Sequence, residues 1–293
     1  MTFAVRVGMV LHRHDGSLQP EFSLRLLSLA HLTLMVADPI ALIDAAVSAE
    51  FSHIGMRIVP PTPDAPMRPV IGDAPYQRAI RQRLTDSGLG VLDIEAFWLT
   101  AETDIAGIAP AFAFGAELGA TYVVVVGNDP VRSRLIDNHA RLTELAAAYG
   151  LKTSLEFIPY SEVKTVGEAG DIVRASGLAN AGLLVDALHL SRSGGSPSDL
   201  ALLPAGMIHY LHLCDAPAAL PPDLAAVRRE ARGGRLYPGE GQLPLAALLA
   251  AAPDVPIGIE APDGRRAALS FGEQAQQAHA ALDVLLLQSN GSS

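Results

Sequence analysis

From Arg25 onward the chain alternates short apolar runs, rich in β-branched residues, with Ala/Leu segments of helical period. The runs are LLSLAHLTL (26–34), HIGMRIV (53–59), VLDIEAFWL (91–99), TYVVVVG (121–127), KTSLEFI (152–158), GLLVDALHL (182–190), IHYLHLC (208–214) and VPIGIEA (255–261). Every gap but one can hold a helix of ordinary length. Strands alternating with helices form a parallel sheet covered by helices, and eight such units predict closure into a (β/α)8 TIM barrel. The competing open, doubly wound sheet usually shows a glycine-rich strand-to-helix turn, and no G-x-G-x-x-G or G-x-x-x-x-G-K-[ST] occurs here.

No linker-like tract divides the chain, so the expectation is a single α/β barrel domain over 25–288. An N-terminal extension, 1–24, carries a β-like run (VRVGMVL) and a polar loop (HRHDGSLQPE), and a disordered tail is expected at 289–293. Asp38-Pro39 opens a helix with a capping carboxylate and proline at the first helical position; Ser196-Pro197 predicts a shorter one. Gly150 is placed to end the helix that precedes it.

Composition narrows the function. Of 293 residues, 49% are hydrophobic and 18% charged, which excludes a disordered chain. A net charge of -10 argues against a nucleic-acid partner, since phosphate binding needs clustered Lys and Arg. The single cysteine, Cys214, excludes an internal disulfide and a thiolate zinc cage; in its strand it reads as a small buried side chain. No apolar run reaches the roughly 18 residues of a membrane span. The start, with Arg6 inside its apolar stretch, does not read as a signal peptide. The reading is a cytoplasmic protein with a small-molecule substrate, no nucleic acid, no membrane, and the option of a homo-oligomer.

Barrel active sites lie at the C-terminal ends of the strands. Glu156, Asp186, His212 and Glu260 end or nearly end four consecutive runs, with separations of 30, 26 and 48 residues. Strand alternation points Leu184 with Asp186, Tyr210 with His212, and Gly258 with Glu260 to one face. Carboxylates buried there are costly without a cation. Three carboxylates and one imidazole make an oxygen/nitrogen site for one divalent ion: Mn2+ first, with Mg2+, Co2+ or Zn2+ as alternatives. Singly, each residue also has a structural reading; Asp186 suits the cap of a following turn.

These motifs resemble the xylose isomerase-like sugar isomerase/epimerase superfamily of metal-dependent TIM barrels. The resemblance rests on SLEF around Glu156, VDALHLSRSGG around Asp186, YLHLCD around His212, RLYPGEG at 235–241 and IGIEAP around Glu260. It implies that Glu156, Asp186, His212 and Glu260 bind the metal; a divalent ion between two glutamates suits proton abstraction, which makes Glu156 and Glu260 the expected catalytic pair. It also implies that His189, of the D-x-x-H pattern, and Arg235, of R-x-x-P-G, contact substrate. The segment between His212 and Arg235 departs from the family's compact loop; it fits a lid or a surface loop with one short helix, and leaves Arg228 and Arg232 as rivals of Arg235.

Further rim candidates are His31 in the first run, Arg57 closing the second, and Glu95 with Trp98 closing the third. Arg57 suits a substrate carboxylate or phosphate, or a pair with Glu95. His53, His139 and His279 read as surface residues, and Glu240 as structural. The expected chemistry is proton transfer next to a carbonyl through a metal-stabilised enediolate, in an isomerase or epimerase of a sugar or polyol-derived keto compound. The alternative is a dehydratase of the inosose or 3-dehydroshikimate type, in which the same enolate expels a β-hydroxyl. A nuclease would need further histidine ligands and a basic face.

Overall fold

The computed structural model describes residues 9–14, 17–22, 25–60 and 67–290. Strands β1 (Met9–His14) and β2 (Ser17–Phe22) pair antiparallel, with His14 opposite Ser17. Much of the segment expected as a polar loop is thus paired. Asp15-Gly16 between the strands is a two-residue hairpin signal that its polarity obscured.

Eight parallel strands then close a barrel: β3 (Leu27–Leu29), β4 (His53–Arg57), β5 (Gly90–Leu99), β6 (Tyr122–Gly127), β7 (Lys152–Glu156), β8 (Ala181–Asp186), β9 (Ile208–Leu213) and β10 (Ile257–Ile259), the last pairing with both β9 and β3. Strands of a closed parallel sheet are covered on both faces, and β6 shows the consequence: its four valines are all buried. Helices α1 (Pro39–Ser48), α2 (Ala74–Ser87), α3 (Ala109–Glu117), α4 (Arg132–Ala148), α5 (Val166–Ser176), α6 (Ala187–Arg192), α7 (Leu224–Gly233), α8 (Leu245–Ala251) and α9 (Phe271–Asn290) occupy the connections. No described helix is long and apolar enough to cross a membrane.

Local chemistry sets the boundaries. Asp38 accepts from the Ala41 amide and Pro39 starts α1, as the sequence predicts. Ser196-Pro197 opens a 3-10 turn, Pro197–Leu202, rather than an α-helix. Two strands stop four or more residues before the ends of their apolar runs. The chain leaves β3 for a 3-10 turn at His31–Leu34, and Asp186 ends β8 by capping α6 through the His189 amide. The apolar residues beyond Asp186 therefore belong to a helix. At the far end, α9 continues through Asn290; the rest of the expected tail, 291–293, lies outside the described residues.

Beneath the C-terminal rim the barrel is plugged by Leu92, Tyr122, Val124, Leu184 and Tyr210. Tyr122 stacks on Tyr210 at 5.1 Å, and Tyr210 meets His212 edge-on at 5.3 Å. This aromatic column gives the rim a firm floor.

Candidate metal centre and active site

The four residues singled out in the sequence converge. Glu156 and Asp186 are the last residues of β7 and β8, His212 lies one residue before the end of β9, and Glu260 follows β10. Asp186 stands beside His212 in register, and His212 beside Gly258. One ligand atom from each of the four lies within 4.8 Å of the others, and all four side chains are buried. Gly258 makes room for the imidazole: a Cβ there would stand 2.7 Å from His212 Cδ2.

A buried arginine ties the cluster together. Arg235 donates from Nη1 to Asp186 Oδ2 at 2.6 Å and to the Glu260 carbonyl at 2.9 Å. Its Nη2 lies 3.0 Å from Glu260 Oε2, and Nε donates to the Ala231 carbonyl at 2.9 Å. Arg235, not Arg228 or Arg232, therefore occupies the centre; both rivals are exposed. The segment between His212 and Arg235 contains α7, and backbone bridges of Asp215 with Leu236 and Gly234 with Asp263 pin its C-terminal return.

The electrostatics fit a bound cation. Burial, then Glu260 and Asp186, push the Glu156 carboxyl well above the usual carboxylate range. Burial acts the same way on Glu260, but Arg235 and His212 outweigh it and hold that group low. His212 loses by burial yet is raised to about 10, chiefly by Glu260. Without a metal, a proton on His212 partly offsets the crowded carboxylates. Glu156 Oε1 and both His212 nitrogens are buried with no well-aligned hydrogen-bond partner, His212 Nδ1 lying 3.5 Å from Glu260 Oε1. Orphaned ligand atoms of this kind, with oxygen and nitrogen donors and no thiolate, suit one divalent ion.

A cavity of about 710 Å³ opens over the cluster. Glu156, His189, Arg235 and Glu260 line it, and so do His31, Arg57, Glu95 and Trp98. Asp186 and His212 lie beneath its surface. His189 follows the Asp186 cap, its Nδ1 without a partner, and burial lowers it to about 4, so the ring is neutral. His31 is neutral for the same reason, but both its nitrogens are committed: Nδ1 accepts from the Arg57 amide, and Nε2 meets the Ala37 carbonyl, each at 2.9 Å. Arg57 lies 3.7 Å from Glu95 across the cavity wall.

Other expectations divide. Cys214 is buried, its thiol raised by burial, and Glu240 pairs with Arg265 and Arg266 as a structural residue. His139 is not a surface residue: it is wholly buried on the inner face of α4 with neither nitrogen partnered, because that helix face meets the barrel. His53 and His279 are only part-exposed.

Two site residues escaped the sequence reading. Asp93 is fully buried, raised well above its ordinary range by burial and by Glu95, with His212 and Tyr210 acting in the opposite direction. Its signal was the D-x-E spacing with Glu95, hidden inside an apolar run. Gly55 accommodates it, since a Cβ there would sit 2.8 Å from Asp93 Oδ1. Tyr160 lines the cavity and meets His189 edge-on at 5.9 Å; its phenol, raised to about 12 mainly by burial, stays protonated.

A family model described as xylose isomerase-like TIM barrel matches residues 43–286. The chain is 34% identical over 165 residues to a 3-dehydroshikimate dehydratase of Pseudomonas aeruginosa, covering 52% of this chain and 25% of that protein. It is 42% identical over 76 residues to an inosose isomerase of Halalkalibacterium halodurans, covering 25% of this chain and 27% of that one. The matches to these two relatives span about a quarter of their length. Among solved structures, an IolI protein with a bound zinc atom superposes with a TM-score of 0.73 at 20% identity, covering 90% of this chain and 98% of that one. At that identity the superposition speaks for the fold alone.

Proposed function

The chain belongs to the xylose isomerase-like TIM barrel family, and from that premise we propose a divalent-metal-dependent isomerase or epimerase of a sugar or polyol-derived keto compound. One observation carries the reading: two buried glutamates of opposite electrostatic character share one four-ligand centre at the floor of a cavity. Glu156, Asp186, His212 and Glu260 would hold the ion, with Mn2+ the first choice for this hard donor set. When bound, the ion supplies Lewis-acid polarisation of a substrate carbonyl.

The residues divide the remaining work. Glu156 has an oxygen with no partner in the chain; with a cation beside it to offset Glu260 and Asp186 it would ionise, and its carboxylate would take the proton from the carbon next to the carbonyl. Glu260, held ionised by Arg235, would first accept a proton from a substrate hydroxyl or solvent and then return it at the opposite face or at the neighbouring carbon. Arg235 fixes Asp186 and Glu260 first, and presents its remaining edge to the cavity. His189, neutral with Nδ1 free, orients a substrate oxygen; Glu95, Trp98, His31 and Arg57 shape the walls. A cytoplasmic enzyme without nucleic-acid partners accords with this chemistry.

Dehydration is the second reading. Arg57 at the cavity wall suits a substrate carboxylate, and the Pseudomonas relative is named for removing water from 3-dehydroshikimate. A panel of ketoses, inososes and 3-dehydroshikimate in deuterated water with Mn2+ separates the two. Deuterium gain with the hydroxyls retained is the expected result; loss of water makes the protein a dehydratase. Neither change with any member contradicts both.

A further inference from the structure

Asp93, on β5, is a carboxyl group that packing alone does not explain. It is fully buried, and among the described residues neither of its oxygens has a hydrogen-bond partner. Leaving a buried carboxyl unpaired is costly, and a leucine of similar size would fill the place without that cost. The other acid of β5, Glu95, is engaged by Arg57 at 3.7 Å.

The backbone is arranged around Asp93. Ile54 of β4 stands beside Val91 and Gly55 beside Asp93, so Leu92 is an extra residue with no counterpart. Such a bulge re-aims the side chains next to it and recurs near active sites. Leu92 joins the plug with Tyr122 and Tyr210, while Asp93 takes the space over Gly55, where a Cβ would stand 2.8 Å from its Oδ1.

Asp93 interacts electrostatically with His212 and with Tyr210, whose ring meets the imidazole edge-on at 5.3 Å. The Tyr210 hydroxyl and both His212 nitrogens are, like Asp93, buried without an aligned partner. A histidine that gives one ring nitrogen to a metal needs an acceptor for the N–H on the other. A carboxylate in that place fixes the tautomer and the ring orientation and strengthens the ligand. His212 and Asp93 therefore supply what each other lacks, and neither has another aligned hydrogen bond to give up.

We propose that Asp93 is the positioning residue of the metal centre: its carboxylate accepts the N–H of the His212 nitrogen that the ion does not take, with the Tyr210 hydroxyl as a second donor to it. The inference rests on the metal-centre reading of Glu156, Asp186, His212 and Glu260, and not on which reaction that centre performs.

The test is calorimetric Mn2+ titration of Asp93→Leu, Asp93→Asn and Tyr122→Phe, with thermal unfolding of the metal-free proteins to show that each folds. Asp93→Leu keeps the volume without an acceptor and should weaken Mn2+ binding about tenfold to a hundredfold. Asp93→Asn, which keeps an acceptor oxygen but not the charge, should lose less. Tyr122→Phe removes a hydroxyl from the same floor and should match the wild type. Proton NMR of the Zn2+-loaded protein, with nitrogen-labelled histidine, reads the bond itself: a slowly exchanging His212 ring N–H far downfield is expected in the wild type, shifted upfield in Asp93→Asn and lost in Asp93→Leu. Wild-type Mn2+ affinity in both Asp93 variants overturns the proposal, as does an equal loss in Tyr122→Phe. So does the absence of the N–H signal from the wild type, or an unchanged signal in Asp93→Asn, the variant that decides if Asp93→Leu does not fold. A wild-type protein that binds neither Mn2+ nor Zn2+ refutes the metal centre and the proposal together, whereas metal binding indifferent to Asp93 refutes the proposal alone.

Discussion

At the residue scale, burial decides which titratable groups matter. His139 sits on the buried face of α4 with both nitrogens unpartnered, and burial lowers it from 6.5 to about 4. Above pH 6.5 neither folded nor unfolded chain binds that proton. Between pH 6.5 and 4 the unfolded chain binds it first, so stability falls as pH falls, by up to about 3 kcal/mol. Replacing His139 by Leu should remove that part of the acid loss, read from urea unfolding at pH 7 and at pH 4.5; an unchanged pH dependence would contradict it. The four ligands were legible for a related reason: each interrupts an apolar run that must be buried, so its charge needs an explanation. Asp93 interrupts such a run too, but two residues before Glu95 it read as part of one strand end. His139 was hidden because a single histidine in an Ala/Leu/Arg helix does not declare its face.

At the element scale, strand register builds the centre. Gly258 of β10 lies beside His212 of β9, and the imidazole fills the space a side chain at 258 would take. Gly258→Ala should displace the ring and weaken Mn2+ binding roughly tenfold or more, as changes around a ligand usually do. Calorimetric Mn2+ titration checks this; wild-type affinity in the variant would show that the ring position is not critical. The strands were legible as elements because parallel strands are apolar on both faces, but their ends were not always so. Apolar residues serve helix and strand alike, and only the Asp186 cap separates β8 from α6. The hairpin of β1 and β2 was missed because backbone pairing tolerates the polar residues of 12–21.

At the scale of the whole molecule, the repeat of strand and helix predicted the closed barrel, and the barrel explains how residues up to 104 positions apart, Glu156 to Glu260, share one centre. What the sequence could not convey is that a second cavity, lined by α7 and the loop after β7, adjoins that centre: the two segments are distant in the chain, and Tyr160 and Arg232 line both cavities only in the fold. The central claim is that this centre moves a proton at carbon when it holds a divalent ion. The direct measurement is mass spectrometry of a reactive keto substrate in deuterated water, with metal-stripped protein, after Mn2+ is restored, and with Glu156→Gln. The account predicts deuterium at the carbon next to the carbonyl only for the wild-type protein with Mn2+. Equal incorporation by the stripped protein, or by Glu156→Gln, would contradict it.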